Sequence, residues 1–292
     1  MGYDESIRLP DGRVLGYLDE GDPRGTPIIF CHGSPGSRLA AVDLVPAVAQ
    51  QGGRIIAPDR PGLGRSDPEV GRSLASFAAD VADLADALDL AHFRMLAVSG
   101  GGPYALAAAW ATPHRVERVA LLSSPGSFDI PGAMDGMVWI GRLMWLLARW
   151  QPRLLRWLLR QQLGAAREDP DKFAQRLVEG MRGEDRVAIE ALEPAQRRRF
   201  VADPLVEALR QDPRYGVEDM RVVRAPWGFG VQDIRVPVHL WHGSADNATP
   251  VAMGGWLAAM IPDVDAHILE GEGHTSTILR YADEALEVLL SD

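Results

Sequence analysis

Apolar positions along the chain follow two rhythms. Short runs rich in Ile, Val, Leu and Phe, bounded by Gly, Pro and Asp, alternate with longer stretches whose apolar residues return every three or four positions. The first is the rhythm of strands buried on both faces, the second that of helices with one apolar stripe. Their alternation predicts a mostly parallel sheet with crossover helices. Ser6–Leu9 and Val14–Asp19 flank Pro10-Asp11-Gly12 and read as an opening hairpin. Pro27–Cys31, Arg54–Ala57, Phe93–Val98, Val116–Leu122, Val236–Gly243 and Ala266–Leu269 read as the remaining strands. Helices are expected over Leu39–Gln51, Ser73–Leu88, Pro103–Ala111, Val251–Ile261 and Ser276–Leu290, with Ser73 as an N-cap.

Between Ser127 and Asp233 the strand rhythm stops. Only helical patterns remain, punctuated by Pro152, Pro170, Pro194, Pro204 and Pro213. The chain therefore divides into a first α/β part (1–126), a helical insertion (127–233) and a second α/β part (234–292). Charge agrees with the division. The insertion holds 17 basic and 16 acidic residues, a net of +1 against −11 on the rest.

Composition narrows the function classes. A formal net charge of −10 over 292 residues lacks the basic footprint that nucleic acid requires. Cys31 is the only cysteine, which excludes an internal disulfide and a cysteine-based zinc site. Gly2 and Ser6 fit a loose acylation pattern, M-G-x-x-x-[ST], but the same residues already read as strand. With no signal-peptide pattern and no apolar run of about 18 residues, a cytoplasmic protein is expected.

The most informative stretch is LAVSGGGPYAL, Leu96–Leu106. Gly100-x-Gly102-x-x-Ala105 formally satisfies a dinucleotide fingerprint. It follows the fifth strand rather than the first of a nucleotide-binding half, however. The next strand ends in Leu122-Ser123-Ser124, with no carboxylate for a ribose. A serine in the turn itself fits a nucleophile elbow instead: strand, sharp turn, helix, with the Ser99 hydroxyl exposed above the sheet. Ala97 and Gly101, two residues to either side, are small, as the close backbones there demand. Pro103 suits a first helical turn, and the Gly100 N–H is placed to meet a developing oxyanion.

A serine nucleophile needs a base and an orienter. HGSADNATP sets Asp246 just past one strand, and GEGHTST sets His274 just past the last. Ser99, Asp246 and His274 follow in the order Ser…Asp…His, each at the C-terminal end of a strand. HGSPGS after the third strand offers the Ser34 backbone N–H as a second oxyanion donor.

Taken together, HGSPGS, DRPGLGRSD, AVSGGG, HGSAD and GEGH resemble the α/β-hydrolase fold family, specifically members with a helical cap between strands six and seven. The resemblance spans nearly the whole chain outside the insertion. It implies an eight-stranded, mostly parallel sheet with helices on both faces. It also implies Ser99 as nucleophile, His274 as general base and then acid, Asp246 as orienter, and Ser34 and Gly100 as oxyanion N–H donors, with no cofactor and no metal. Asp129 is the alternative orienter in some relatives. Asp59, Arg60, Gly62 and Gly64 read as a structural turn. The expected substrate is a small molecule carrying an apolar acyl group, and the expected reaction is ester hydrolysis. Carbon–carbon, lactone or amide cleavage and perhydrolysis are the alternatives, and a binding protein without turnover is the rival from another class.

The insertion contributes Met137–Gly164, with four tryptophans, five arginines and no acid. It fits a cap with an apolar underside better than a basic hairpin touching a membrane. Trp227 and Phe229, at the return from the insertion, are expected to line the substrate pocket.

Overall fold

Alternate residues of each buried strand feed two different cores. In the third strand, Ile28 and Phe30 turn to one face of the sheet while Ile29 and Cys31 turn to the other. The structure, a computed structural model, describes residues 2–291. Its strands are β1 Gly2–Arg8, β2 Val14–Gly21, β3 Thr26–Cys31, β4 Gly53–Pro58, β5 Phe93–Val98, β6 Val116–Leu122, β7 Val238–Gly243 and β8 Val264–Leu269. They form one sheet in the order β1-β2-β4-β3-β5-β6-β7-β8. Only the β1–β2 and β2–β4 pairs are antiparallel.

Helices α1 (Val45–Gln50) and, from the C-terminus, His274–Leu290 cover one face. There Val48, Ala285, Leu286 and Leu289 meet Ile28, Phe30, Ile55 and Trp241. On the other face lie α2 (Leu74–Ala87) and α3 (Gly102–Ala111), whose Phe77, Val81, Leu84 and Leu106 pack on Ile29, Met95 and Leu121. Ser73 caps α2, its hydroxyl accepting from Ser76 N at 3.0 Å. The expected helix over 39–51 is instead a 3-10 turn, Arg38–Leu44, followed by α1. Pro46, in the first turn of α1, has no N–H to lose there.

Between β6 and β7 the chain forms α4 (Trp139–Trp150), α5 (Pro152–Glu168), α6 (Pro170–Gly180), α7 (Gly183–Glu190), α8 (Pro194–Val201), α9 (Asp203–Ala208) and α10 (Pro213–Arg224). The five punctuating prolines each sit in the first turn of a helix, where a fixed φ and a missing donor cost nothing. Leu155, Leu159 and Leu163 of α5 and Val217, Met220 and Val223 of α10 join the core beneath α2 and α3. The strand expected from Val236 begins at Val238, after a 3-10 turn at Val231–Asp233, and the remaining helices are α11 (Val251–Met260) and α12 (His274–Leu290). That last helix starts two residues earlier than Ser276, because Gly273 is its N-cap and donates to Ser276 Oγ at 2.8 Å.

Candidate active site

Ser99 occupies the turn where β5 becomes α3, with φ at +49°. A left-handed serine costs about 1–3 kcal/mol and persists only where its surroundings over-determine it. The glycines show how they do so. A Cβ on Gly101 would lie 2.0 Å from the Cys31 carbonyl oxygen, and one on Gly102 would lie 1.7 Å from Ser124 Oγ. Strand and helix therefore close tightly around the turn, and the serine is the residue left facing outward.

His274 Nε2 lies 3.0 Å from Ser99 Oγ, and His274 Nδ1 lies 2.8 Å from Asp246 Oδ2. With Nδ1–H donating to the carboxylate, the Nε2 lone pair faces the serine hydroxyl. Asp246 is buried and held on both oxygens. Its Oδ1 accepts from Ala248 N and Thr249 N, both at 2.8 Å, and its Oδ2 also accepts from Thr249 Oγ1 at 2.8 Å. Burial alone would raise the Asp246 pKa, but His274 and these donors outweigh it and hold it below the usual carboxylate value. Burial would likewise depress His274. The carboxylate of Asp246, with Asp185 adding to it, wins and raises the imidazole pKa. Asp129, the alternative orienter, is exposed in the loop after β6, and the Nδ1 position is taken by Asp246.

The two nominated residues, Ser34 and Gly100, lie against one another at the serine turn. A Cβ on Gly100 would sit 3.0 Å from Ser34 N, and one on Gly33 would sit 3.8 Å from Ser99 Oγ. Their loop is clamped by a residue read from sequence as part of a structural turn. The buried Arg60 donates to His32 O (2.5 Å), Gly33 O (2.7 Å) and Ser34 Oγ (3.1 Å). The other edge of its guanidinium meets Asp219 of α10 at 2.8 Å on both oxygens. Arg72 and Tyr104 Oη also donate to Asp219 Oδ1, Tyr104 at 2.9 Å. Burial would raise the Asp219 pKa, yet Arg60 and Arg72 drive it far below the ordinary value. His32 is buried and, beside Arg60, held well below the usual histidine range, so it is neutral.

A second acid of the inserted helices reaches the histidine. Asp185 of α7 accepts from His274 N at 3.2 Å and Ser276 N at 2.9 Å, capping α12 from outside. A Cβ on Gly273 would lie 2.4 Å from Asp185 Oδ1, so the glycine of GEGH is what admits this carboxylate. Sequence reasoning missed Asp185, Asp219, Arg60 and Thr249 as parts of the site. For Asp219 a signal existed: with Tyr215 and Val223 it forms one i, i+4, i+8 stripe on α10, a charge in the middle of a buried face.

Trp227 and Phe229 lie in an aromatic cluster. Phe229 stacks on Trp110 with ring centroids 5.5 Å apart, and Trp227 meets Phe229 and Trp256 at 5.9 and 6.0 Å. Trp110 is the penultimate residue of α3, roughly 12 Å along the helix axis from the turn that holds Ser99. The pair is a packing cluster at the far end of that helix. Trp227 also borders a cleft of about 760 Å³, whose lining includes residues 68–74 and the outer face of α10 but neither Ser99 nor His274. Among the described residues, no cluster of three or more His, Cys, Asp or Glu is placed to hold a metal ion.

Comparison with known proteins places this geometry. The profile of a family described as alpha/beta hydrolase fold matches residues 26–281. A non-heme chloroperoxidase of Streptomyces lividans is 39% identical over 121 residues, 41% of this chain and 44% of that protein. A haloalkane dehalogenase of Psychrobacter cryohalolentis is 34% identical over 107 residues, 36% of this chain and 35% of that one. The chain thus spans less than half the length of these curated relatives. Among solved structures, a bromoperoxidase from Bacillus anthracis superposes with a TM-score of 0.71 at 19% identity, covering 99% of this chain and 100% of the other, a likeness of fold.

Proposed function

The chain belongs to the alpha/beta hydrolase fold family, and from that premise we propose that it is a serine hydrolase of carboxylic esters carrying an apolar acyl group. One observation carries the reading: the unbroken hydrogen-bond chain from Ser99 Oγ through His274 to Asp246, at 3.0 and 2.8 Å. In this reading Ser99 attacks the ester carbonyl while His274 Nε2 takes its proton. Asp246 fixes the tautomer and stabilises the imidazolium. The tetrahedral oxyanion is met by the N–H groups of Ser34 and Gly100. His274 then protonates the leaving alcohol, and water activated by the same imidazole releases the acyl group. The helices between β6 and β7 serve as a cap, residues 127–233, over the two core parts 1–126 and 234–292.

The chloroperoxidase and bromoperoxidase relatives favour a second reading, perhydrolysis, in which hydrogen peroxide replaces water in the deacylation step. Product analysis with and without peroxide separates the two.

A fluorophosphonate probe is expected to label Ser99, and Ser99→Ala is expected to abolish both labelling and p-nitrophenyl ester turnover. Asp246→Asn should lower kcat by about 10⁴, because the wrong tautomer is favoured, while Asp129→Asn leaves it near the parent value. The reverse result would move the orienter to Asp129. Absence of labelling in folded protein would remove Ser99 from the chemistry altogether.

A further inference from the structure

We propose that the hairpin of α4 and α5 is a docking surface for an anionic phospholipid bilayer. The inference is independent of the reaction assigned to Ser99. On α4, Trp139, Leu143, Leu146 and Trp150 fall at i, i+4, i+7 and i+11, one stripe along one side of the helix. Trp139 is 72% and Trp150 66% exposed, and Ile140 and Leu143 beside them are also exposed. On α5, Leu154 and Trp157 continue the pattern, Trp157 at 55%. These are not core residues that failed to fit. The other sides of the same helices, with Trp145 and Ala148 on one and Leu155, Leu159 and Leu163 on the other, are already buried against the protein. Each helix is therefore apolar on two sides, and one of those sides has no protein partner within the chain.

Charge identifies the occupant. Residues 137–164 contain five arginines and no acidic residue, in a chain whose formal net charge is −10. Arg156 pairs with Asp212, whereas Arg142, Arg149, Arg153 and Arg160 have no carboxylate within 4.0 Å among the described residues. On α4 the free guanidiniums lie about 60–100° around the helix from the two tryptophans of the stripe. A side chain there keeps its stem along apolar surface and its head at the level of a phosphate. Tryptophan and leucine on one face flanked by unpaired arginine is the composition of a helix lying in a headgroup layer. The remainder of the chain is strongly acidic, so an anionic surface attracts this hairpin and repels the rest, which fixes the orientation of the molecule. No helix of the described residues is long and apolar enough to cross a membrane, so the contact is peripheral.

The test uses the full chain and vesicles of phosphatidylglycerol with phosphatidylcholine, against vesicles of phosphatidylcholine alone. Cosedimentation should show about tenfold or greater preference for the anionic vesicles, falling as salt is raised. Brominated lipid should quench tryptophan emission. Arg153→Gln with Arg160→Gln should weaken partitioning by about 25-fold, roughly fivefold for each charge. Trp139→Ser, Trp150→Ser and Trp157→Ser together should abolish binding and quenching, with the melting temperature reporting that the variant remains folded. Equal affinity for both vesicle types, or full binding by the folded triple variant, would overturn the proposal. So would a dimer in sedimentation that the triple variant dissolves without any vesicle binding, since the face would then be an interface between two copies.

Discussion

Two aspartates of the helices between β6 and β7 reach the α/β layer, one at Arg60 and the other at His274, and they are built in contrasting ways. Asp219 on α10 is surrounded by cations. Arg60 and Arg72 both pair with it, Tyr104 adds a hydroxyl, and the first of these arginines grips the backbone that carries Ser34. Asp185 on α7 accepts instead from two backbone N–H groups at the open end of α12, and those belong to His274 and Ser276. Both carboxylates are buried. A carboxylate compensated by full opposite charges acts as a lock, expensive to break. One set on a helix terminus meets only partial charges, so its removal disturbs the fold less and the adjacent titrating group more.

The lock gives the largest expected effect. Asp219→Ala leaves two buried guanidiniums without a carboxylate, a loss of about 3–5 kcal/mol. In a chain of this size that lowers the melting temperature by roughly 6–20 °C, readable by calorimetry. The sign with pH is fixed by the depressed pKa of Asp219. Its contribution is fully present above the unfolded carboxylate value near 4 and is lost only as pH falls toward the much lower folded value. The gap between parent and variant should therefore hold from neutral pH to about pH 5 and close only in strong acid. A shift of under about 2 °C at neutral pH would show that Asp219 is no lock.

Next in size is the effect of Arg60 on turnover. Arg60→Met and Arg72→Met combined with Asp219→Leu replace the whole charged group by apolar volume, which often restores much of the stability lost on breaking a buried pair. The carbonyls of His32 and Gly33 and the Ser34 hydroxyl still lose their donor. Loss of one oxyanion donor outright costs about 10²–10³ in kcat, so a loosened donor loop should cost about 10- to 100-fold. Recovery of melting temperature without recovery of kcat would separate positioning from stability. Recovery of both would reduce Arg60 to packing.

The same contrast explains what could be read from the sequence. Strands two-faced in their apolar pattern, helices opened by proline, and the motifs around Ser99, Asp246 and His274 are local signals, each contained in about ten consecutive residues. Asp185 and Asp219 act across 89 and 159 positions, and nothing near either one names its partner. The placement of Trp227 and Phe229 was hidden for the same reason. Being aromatic and next to the insertion's return says nothing about which end of α3 they reach. The exposed stripe of Trp139, Trp150 and Trp157 was likewise hidden, because periodicity shows that a face is apolar and not whether anything covers it.

The smallest expected effect is the most discriminating. Asp185→Asn keeps an acceptor for one of the two N–H groups but removes a negative charge that favours the imidazolium of His274. Because Asp246 and Asp185 raise the His274 pKa, kcat/KM should rise with pH along an acid limb above the ordinary histidine value near 6.5. Removing one of those charges moves the limb toward lower pH. The loss of a charge at a helix N-terminus is worth about 0.3–1 kcal/mol in stability, a few degrees at most and well below the Asp219 deficit. Asp185→Ala, which also removes the hydrogen bonds, should move the limb in the same direction and cost more stability. If the limb stays fixed in both variants while the melting temperature falls, Asp185 is a cap for α12 and nothing more. If it moves in both, the inserted helices hold one end of the site by an ion pair and tune the other by a charge.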